Sequence, residues 1–466
     1  MSEKPVSIFN EVLGPVMRGP SSSHTAAAYR LGAMARGLFG RPIKKVLVRF
    51  SSKSSLPGTY VSQGSETGLM TGLMGMSIED GRVPDIMEYA AASGIETAVE
   101  VHDGPCSHPN TYEIILGSGD GITMRFVGIS TGGGMVRLQE VDGVQVSLDG
   151  GEDTDIPGIG HVPRVLPVGF NPDCRLPFRD ATDFESMSPT GEIWQYAIDY
   201  ESERSGMRRD DLWKMTVRLV GVMRSSVSVG LHGTEYPDRI LGAQSLLVDA
   251  AARAGRTVPS ALFRTIEKYA MAVMECKSSY GVILAAPTAG SCAVLPAVLI
   301  SLCDLYGYPE ESAAKALLAA GLVGMFIAAR STLSAEVAGC QAECGAASGM
   351  AAAGVVQLLG GSSREALAAS SFALQNVMGM VCDPVANRVE APCLGKNIMC
   401  AMNAVAAADY VMAGADALLP LGEVIKAMDE VGRSIPVEYR CTGLGGLSKC
   451  AASLAIERKL KEKKHG

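Results

Sequence analysis

The chain has 466 residues, 47% of them hydrophobic and 19% charged, which suits about two or three globular domains and is too apolar for a disordered polypeptide. A net charge of −8, with no basic stripe, argues against nucleic acid as a partner. The opening MSEKPVSIFNEVLG lacks an apolar core of signal-peptide length, and 12 cysteines without an export signal argue against a disulfide framework, so a cytoplasmic protein is expected.

Residues 1–155 mix two periodicities. A helix is predicted over 26–37, after the turn Ser21-Ser-Ser-His24, and another over 65–76. Strands are predicted over 45–50, 112–116, 123–127 and 143–147, separated by Gly/Asp turns. Together they predict an α+β domain on an antiparallel or mixed sheet. Prolines then crowd the chain at Pro157, Pro163, Pro167, Pro172, Pro177 and Pro189, which predicts a linker over 156–190. From 191 to 466 the periodicity is helical, with helices predicted over 194–225, 240–254, 262–279, 311–329, 346–359 and 364–378. The expected fold class is therefore an α+β N-terminal domain followed by an all-α catalytic domain.

Two stretches of that helical half test for a membrane. Residues 278–303 carry no formal charge but contain Pro287, Pro296, Gly281 and Gly290. The apolar run 316–329 is shorter than the roughly 20 residues a span requires. Both read as buried core helices, and no membrane partner is expected.

Several short stretches carry candidate chemistry. Gly19-Pro-Ser-Ser-Ser-His-Thr25 opens a helix, where hydroxyls and unpaired N–H groups favour a carboxylate or phosphate; the same residues suit an ordinary helix cap. Thr131-Gly-Gly-Gly-Met135 could bring backbone close to an anion, without the spacing of a dinucleotide site. Ala286-Pro-Thr-Ala-Gly-Ser-Cys292 breaks an uncharged helical tract and reads as a binding loop or a simple interhelical turn. Glu336-Val-Ala-Gly-Cys-Gln-Ala-Glu-Cys344 and Cys382-Asp-Pro-Val-Ala-Asn-Arg-Val-Glu-Ala-Pro-Cys393 place cysteines and carboxylates on separate loops. Their spacing matches no zinc ribbon or ferredoxin, and three buried core cysteines would look the same as three cluster ligands.

In this order, GPSSSHT, APTAG, EVAGCQAECG, CDPVANRVEAPC and the late TGLGGL resemble the iron–sulfur-dependent L-serine dehydratases over nearly the whole chain. The resemblance implies a homodimer, and a four-iron four-sulfur cluster held by Cys340, Cys382 and Cys393. The iron without a cysteine would act as a Lewis acid on an amino-acid substrate, losing water to give a 2-oxo acid and ammonia. It further implies that Ser21, Ser22, Ser23, His24 and Thr25 serve the substrate or supply the base. Thr288, Ala289 and Gly290 would line the carboxylate pocket.

The chain departs from the family at Gln63, where a histidine is usual, at Gln375-Asn376, where His-Asn is common, and at Asn387-Arg388, where small residues are usual. Gln63, Asn376 and Arg388 are therefore expected on the substrate side. Arg388 either pairs with Glu390 or reads an extra anionic group on a related acid. Family members often carry a late cysteine that caps the open iron, and Cys450 is its counterpart here. Two rival readings remain: a cysteine desulfidase-type elimination of sulfide, and a non-catalytic iron–sulfur sensor.

Overall fold

The structure is a computed structural model and describes residues 4–106 and 108–465. It divides into two compact units, Met17–Gly169 and the combination of Met1–Val16 with Phe170–Gly466.

The first unit is α+β. Helix α1 (Ala27–Phe39) ends at Gly40, whose φ of 59° is the left-handed cap that glycine accepts without a Cβ penalty. Strand β1 (Ile43–Ser51), helices α2 (Ser65–Leu73) and α3 (Ile86–Ala92), and strands β2 (Glu96–His102), β3 (Thr111–Ser118), β4 (Thr123–Gly132), β5 (Met135–Val141) and β6 (Val144–Leu148) follow. The sheet order is β2-β1-β3-β4-β5-β6, parallel only between β1 and β2. Alternation along β1 sends Val46, Val48 and Phe50 into a core shared with Leu31, Met34, Tyr112, Ile114 and Phe126. The opposite face carries a cross-strand run of charge in which Arg49 meets Glu100 at 3.0 Å and Arg125 meets Glu113 at 2.5 Å.

Helices α1 and α2 touch backbone to backbone. A Cβ on Gly68 would stand 2.0 Å from the Thr25 carbonyl oxygen, and one on Gly72 would stand 2.2 Å from that of Tyr29. Thr131-Gly-Gly-Gly-Met135 is the turn of the β4–β5 hairpin. Its three glycines take φ of 102°, 57° and 87°, and the Gly134 carbonyl accepts a hydrogen bond from Arg30 at 2.7 Å.

The second unit is helical: α4 (Ala181–Ser186), α5 (Ile193–Ser205), α6 (Arg209–Leu231), α7 (Ser245–Arg253), α8 (Ala261–Ser278), α9 (Val294–Tyr306), α10 (Glu310–Arg330), α11 (Cys344–Leu358), α12 (Ser363–Gln375), α13 (Cys393–Met412), α14 (Leu421–Ser434) and α15 (Ala451–His465). Every residue of α11 is buried, and α10, α12 and α13 pack around it. Its Ala/Gly composition permits this closeness: a Cβ on Gly354 would lie 3.1 Å from the Ala316 carbonyl. The two apolar stretches 289–306 and 310–330 are long enough to cross a membrane, yet 83% and 78% of them is buried inside this unit, as core helices are.

Three details differ from the sequence expectation. The helix predicted over 194–225 is two helices, because Gly206 at φ 72° caps the first. The helix predicted from 240 begins only at Ser245, where Glu275 accepts the Gln244 and Ser245 N–H groups at 2.7 and 2.8 Å and so fixes its start. Residues 4–16, placed by the sequence in the 1–155 domain, lie within the helical unit. Glu201 accepts from the Ser7 hydroxyl and the Ile8 N–H at 2.7 Å each, and Arg204 donates to the Pro5 carbonyl at 2.8 Å. The unit boundary after Gly169 also divides the proline-rich stretch 156–190, whose first part pairs as a hairpin over 154–162.

Candidate functional site

The helical unit gathers its chemistry where three irregular segments meet. The first runs from Gly339 through a 3-10 turn, Cys340–Ala342, to the start of α11. Gly339 adopts φ 70°, and a Cβ there would stand 2.7 Å from the Met380 carbonyl. Buried Gln341 fastens the segment, donating to the Met428 carbonyl at 2.6 Å and accepting from the Gly379 N–H at 2.8 Å.

The second segment is the Cys382–Cys393 loop. Its first cysteine is held by backbone bonds on both sides, from its N–H to the Tyr439 carbonyl at 2.8 Å and from the Cys441 N–H to its carbonyl at 2.7 Å. The Val385 N–H closes the loop on the Ala391 carbonyl at 2.7 Å, with Ala386 and Asn387 in the left-handed region at φ 51° and 55°. Pro392 stands at the cap of α13, a position where its missing N–H costs nothing, so Cys393 becomes the first helical residue. The TGLGGL segment folds back on this loop: Asp383 accepts the Leu447 N–H at 3.0 Å, and the Ser448 hydroxyl donates to the Pro384 carbonyl at 2.8 Å.

The third is the Ala286–Cys292 loop, where Thr288 caps the 3-10 turn Ala289–Ser291 and its hydroxyl lies 3.2 Å from that of Ser291. Asn397, which sequence reasoning passed over, joins this loop to α13. Its amide donates to the Gly290 carbonyl at 2.7 Å and the Cys393 carbonyl at 2.8 Å, and its oxygen accepts the Ala293 N–H at 3.1 Å. The available signal was its place one turn after Cys393.

These segments bring one donor atom each of Cys340, Glu343 and Cys382 within 4.8 Å of one another. Cys344 lies 3.9 Å from Cys340, sulfur to sulfur, and Cys441 is hydrogen-bonded to Cys382. Buried Cys393 stands outside the 4.8 Å group but near enough for its charge to couple to Cys340 and Glu343. Hydrogen bonds from Cys344 and Cys382 hold the Cys340 thiol well below the usual range against the opposing effect of burial. Loss of water pushes the Cys393 thiol and the Glu343 carboxyl up. Burial works against the charge of Lys396, yet Cys340, Cys382 and Asp383 raise it overall, and its ammonium donates to the Val381 carbonyl at 2.6 Å. A closely grouped set of soft sulfur donors beside a lysine fits a thiophilic metal group.

The remaining predicted residues fall in different places. Arg388 is buried but pairs with Asp238 rather than Glu390, whose carboxylate accepts the Ile240 and Leu241 N–H groups. Asn376 is exposed and donates to Asn403 at 2.8 Å. Cys450 is exposed at the start of α15. In the α+β unit, Ser21–Thr25 form a buried π-helical turn with its preceding residue. The Ser21 and Ser23 hydroxyls lie 3.1 and 3.2 Å from His24 Nδ1, and the Thr25 hydroxyl donates to the Gln63 carbonyl at 2.9 Å. That unit thus groups Ser21–Thr25 of the GPSSSHT stretch with Gln63.

A family model described as "Serine dehydratase alpha chain" matches residues 189–448, more than half of the chain. The probable L-serine dehydratase alpha chain of Bacillus subtilis is 35% identical over 263 residues, covering 56% of this chain and 88% of that protein. The L-serine dehydratase of Streptomyces coelicolor is 29% identical over 463 residues, covering 95% and 98%. L-serine dehydratase TdcG of Escherichia coli is 27% identical, covering 92% and 96%.

Proposed function

The chain belongs to the serine dehydratase alpha chain family, and from that premise we propose that it is an iron–sulfur lyase converting L-serine, or a close β-hydroxy amino acid, to a 2-oxo acid and ammonia. The observation that carries this reading is the thiol and carboxyl donor group at the meeting of the three segments. Cys340, Cys382 and Cys393 would hold the cluster. When bound, a cluster with one iron lacking a cysteine supplies Lewis acidity, which makes hydroxide a feasible leaving group.

The chain's own residues do the rest. The Thr288 hydroxyl and the turn Ala289–Ser291 offer donors for the substrate carboxylate, and Asn397 keeps that turn in register with Cys393. Lys396 holds positive charge beside the cysteine sulfurs. The Ser21/Ser23/His24 group is suited to hold or take a proton, because two hydroxyls share one imidazole nitrogen. Gln63 positions that group through Thr25.

The test is turnover by protein purified and reconstituted without oxygen. L-serine should yield pyruvate and ammonia in equal amounts, with about four iron and four sulfide per chain. Cysteine as substrate, assayed for sulfide, separates this from desulfidation. Iron-loaded protein that releases no product from either acid rejects the reading.

A further inference from the structure

Of the three donors grouped within 4.8 Å, Cys340 and Cys382 are buried, while Glu343 keeps partial access to solvent. Its setting also limits its movement. The 3-10 turn Cys340–Ala342 puts it three residues from Cys340 on the same side of the chain, and the Thr288 side chain hydrogen-bonds to it. Gly290 lies against its other flank, where an added Cβ would stand 3.2 Å from Oε2. A carboxylate held among sulfurs, away from bulk water, is best offset by a cation, and iron takes carboxylate oxygen as well as sulfur donors.

We propose that Glu343 is the fourth protein donor of the metal site. In the substrate-free protein its carboxylate binds the iron that Cys340, Cys382 and Cys393 leave without a thiolate, and it gives way when substrate binds. This rests on the cluster reading above. Thr288 links the two states, because the hydroxyl that holds Glu343 belongs to the loop assigned to the substrate carboxylate. Cys441 and the exposed Cys450 lie outside the group of donors within 4.8 Å.

The experiment uses the full chain, reconstituted anaerobically, reduced, and free of substrate, in water enriched in the magnetic oxygen isotope. Electron–nuclear double resonance then reads whether solvent oxygen is bound to the cluster. Wild type should show no water-oxygen coupling, and Glu343→Gln should gain it with iron and sulfide still near four each. Coupling in substrate-free wild type overturns the proposal, whatever the variant does. Coupling gained by Cys441→Ser and not by Glu343→Gln overturns it as well. Wild type without iron and sulfide rejects the cluster reading itself, a result that the metal count distinguishes from the other two.

Discussion

Arg388 is tied to Asp238 by an ion pair and by a second bond, 3.2 Å long, from its guanidinium to the Asp238 carbonyl. Two residues on, Glu390 accepts the Ile240 and Leu241 N–H groups at 2.9 and 3.0 Å. The loop between α6 and α7 is therefore clamped to the Cys382–Cys393 loop by two side chains of opposite charge. Arg388→Ala should cost about 1–3 kcal/mol by stranding the Asp238 carboxylate. It should also speed amide exchange at Ile240 and Leu241. Substrate charge preference should stay as in wild type, since this guanidinium is already committed. A variant that gains activity toward neutral acids at the expense of acidic ones would return Arg388 to the substrate.

Asn397 satisfies three groups at once, the Gly290 and Cys393 carbonyls and the Ala293 N–H. Asn397→Ala leaves all three buried without it, at a cost of about 2–4 kcal/mol from lost and unsatisfied hydrogen bonds. The Ala286–Cys292 loop should shift relative to α13. We expect a raised KM for serine with the iron count retained, read from steady-state kinetics beside metal analysis. An unchanged KM would mean that the loop keeps its place by packing alone.

How much of this was legible in the sequence depends on distance along the chain. The Ala/Gly tract of α11 and the alternation of Val46, Val48 and Phe50 announce burial locally, and the structure follows them. Pro392 beside Cys393 likewise signals a helix start. By contrast, β2 is an edge strand with Glu96 and Glu100 on it and little apolar alternation, so its pairing with β1 shows only in three dimensions. The glycine triplet is ambiguous until β5 is seen to return from it. Asn397 is one of several polar residues on its helix, and only the partners brought to it from residues 290 and 293 disclose its work.

The docking of residues 4–16 into the helical unit sets a pH dependence. Burial raises the Glu201 carboxyl above its ordinary 4.5, with Arg204 and the Ser7 and Ile8 donors pulling the other way. A raised acid pKa means the folded state holds its proton more tightly than the unfolded chain. The stability it contributes is thus present below about pH 4.5 and lost as pH rises through the folded value. Glu201→Gln should remove that part of the slope. Denaturant midpoints of both proteins between about pH 4.5 and 7 check this; parallel curves would show that Glu201 is ionised throughout.

Gly68 controls the seat of the serine–histidine turn. A methyl there would press on the Thr25 carbonyl, because α1 and α2 leave only 2.0 Å. Gly68→Ala should destabilise the α+β unit by about 1–3 kcal/mol through forced backbone displacement. It should also lower kcat while iron and sulfide are unchanged, since the thiol group lies in the other unit. A fall in cluster content would contradict the division of labour between the two units.

Cys450 offers the sharpest contrast with the family pattern, in which a late cysteine caps the open iron. Here the thiol is exposed, the chain continues into α15 after it, and the Ala386 N–H bonds to Ser453 at 3.0 Å, anchoring the start of that helix. Cys450→Ser should therefore leave iron content, cluster spectrum and turnover as in wild type. Ser453→Ala should loosen the loop tip at Ala386 and cost about 1 kcal/mol, the worth of one hydrogen bond. Iodoacetamide should label Cys450 in the native, iron-loaded protein without loss of iron. Loss of iron on that labelling would place Cys450 in the metal site after all.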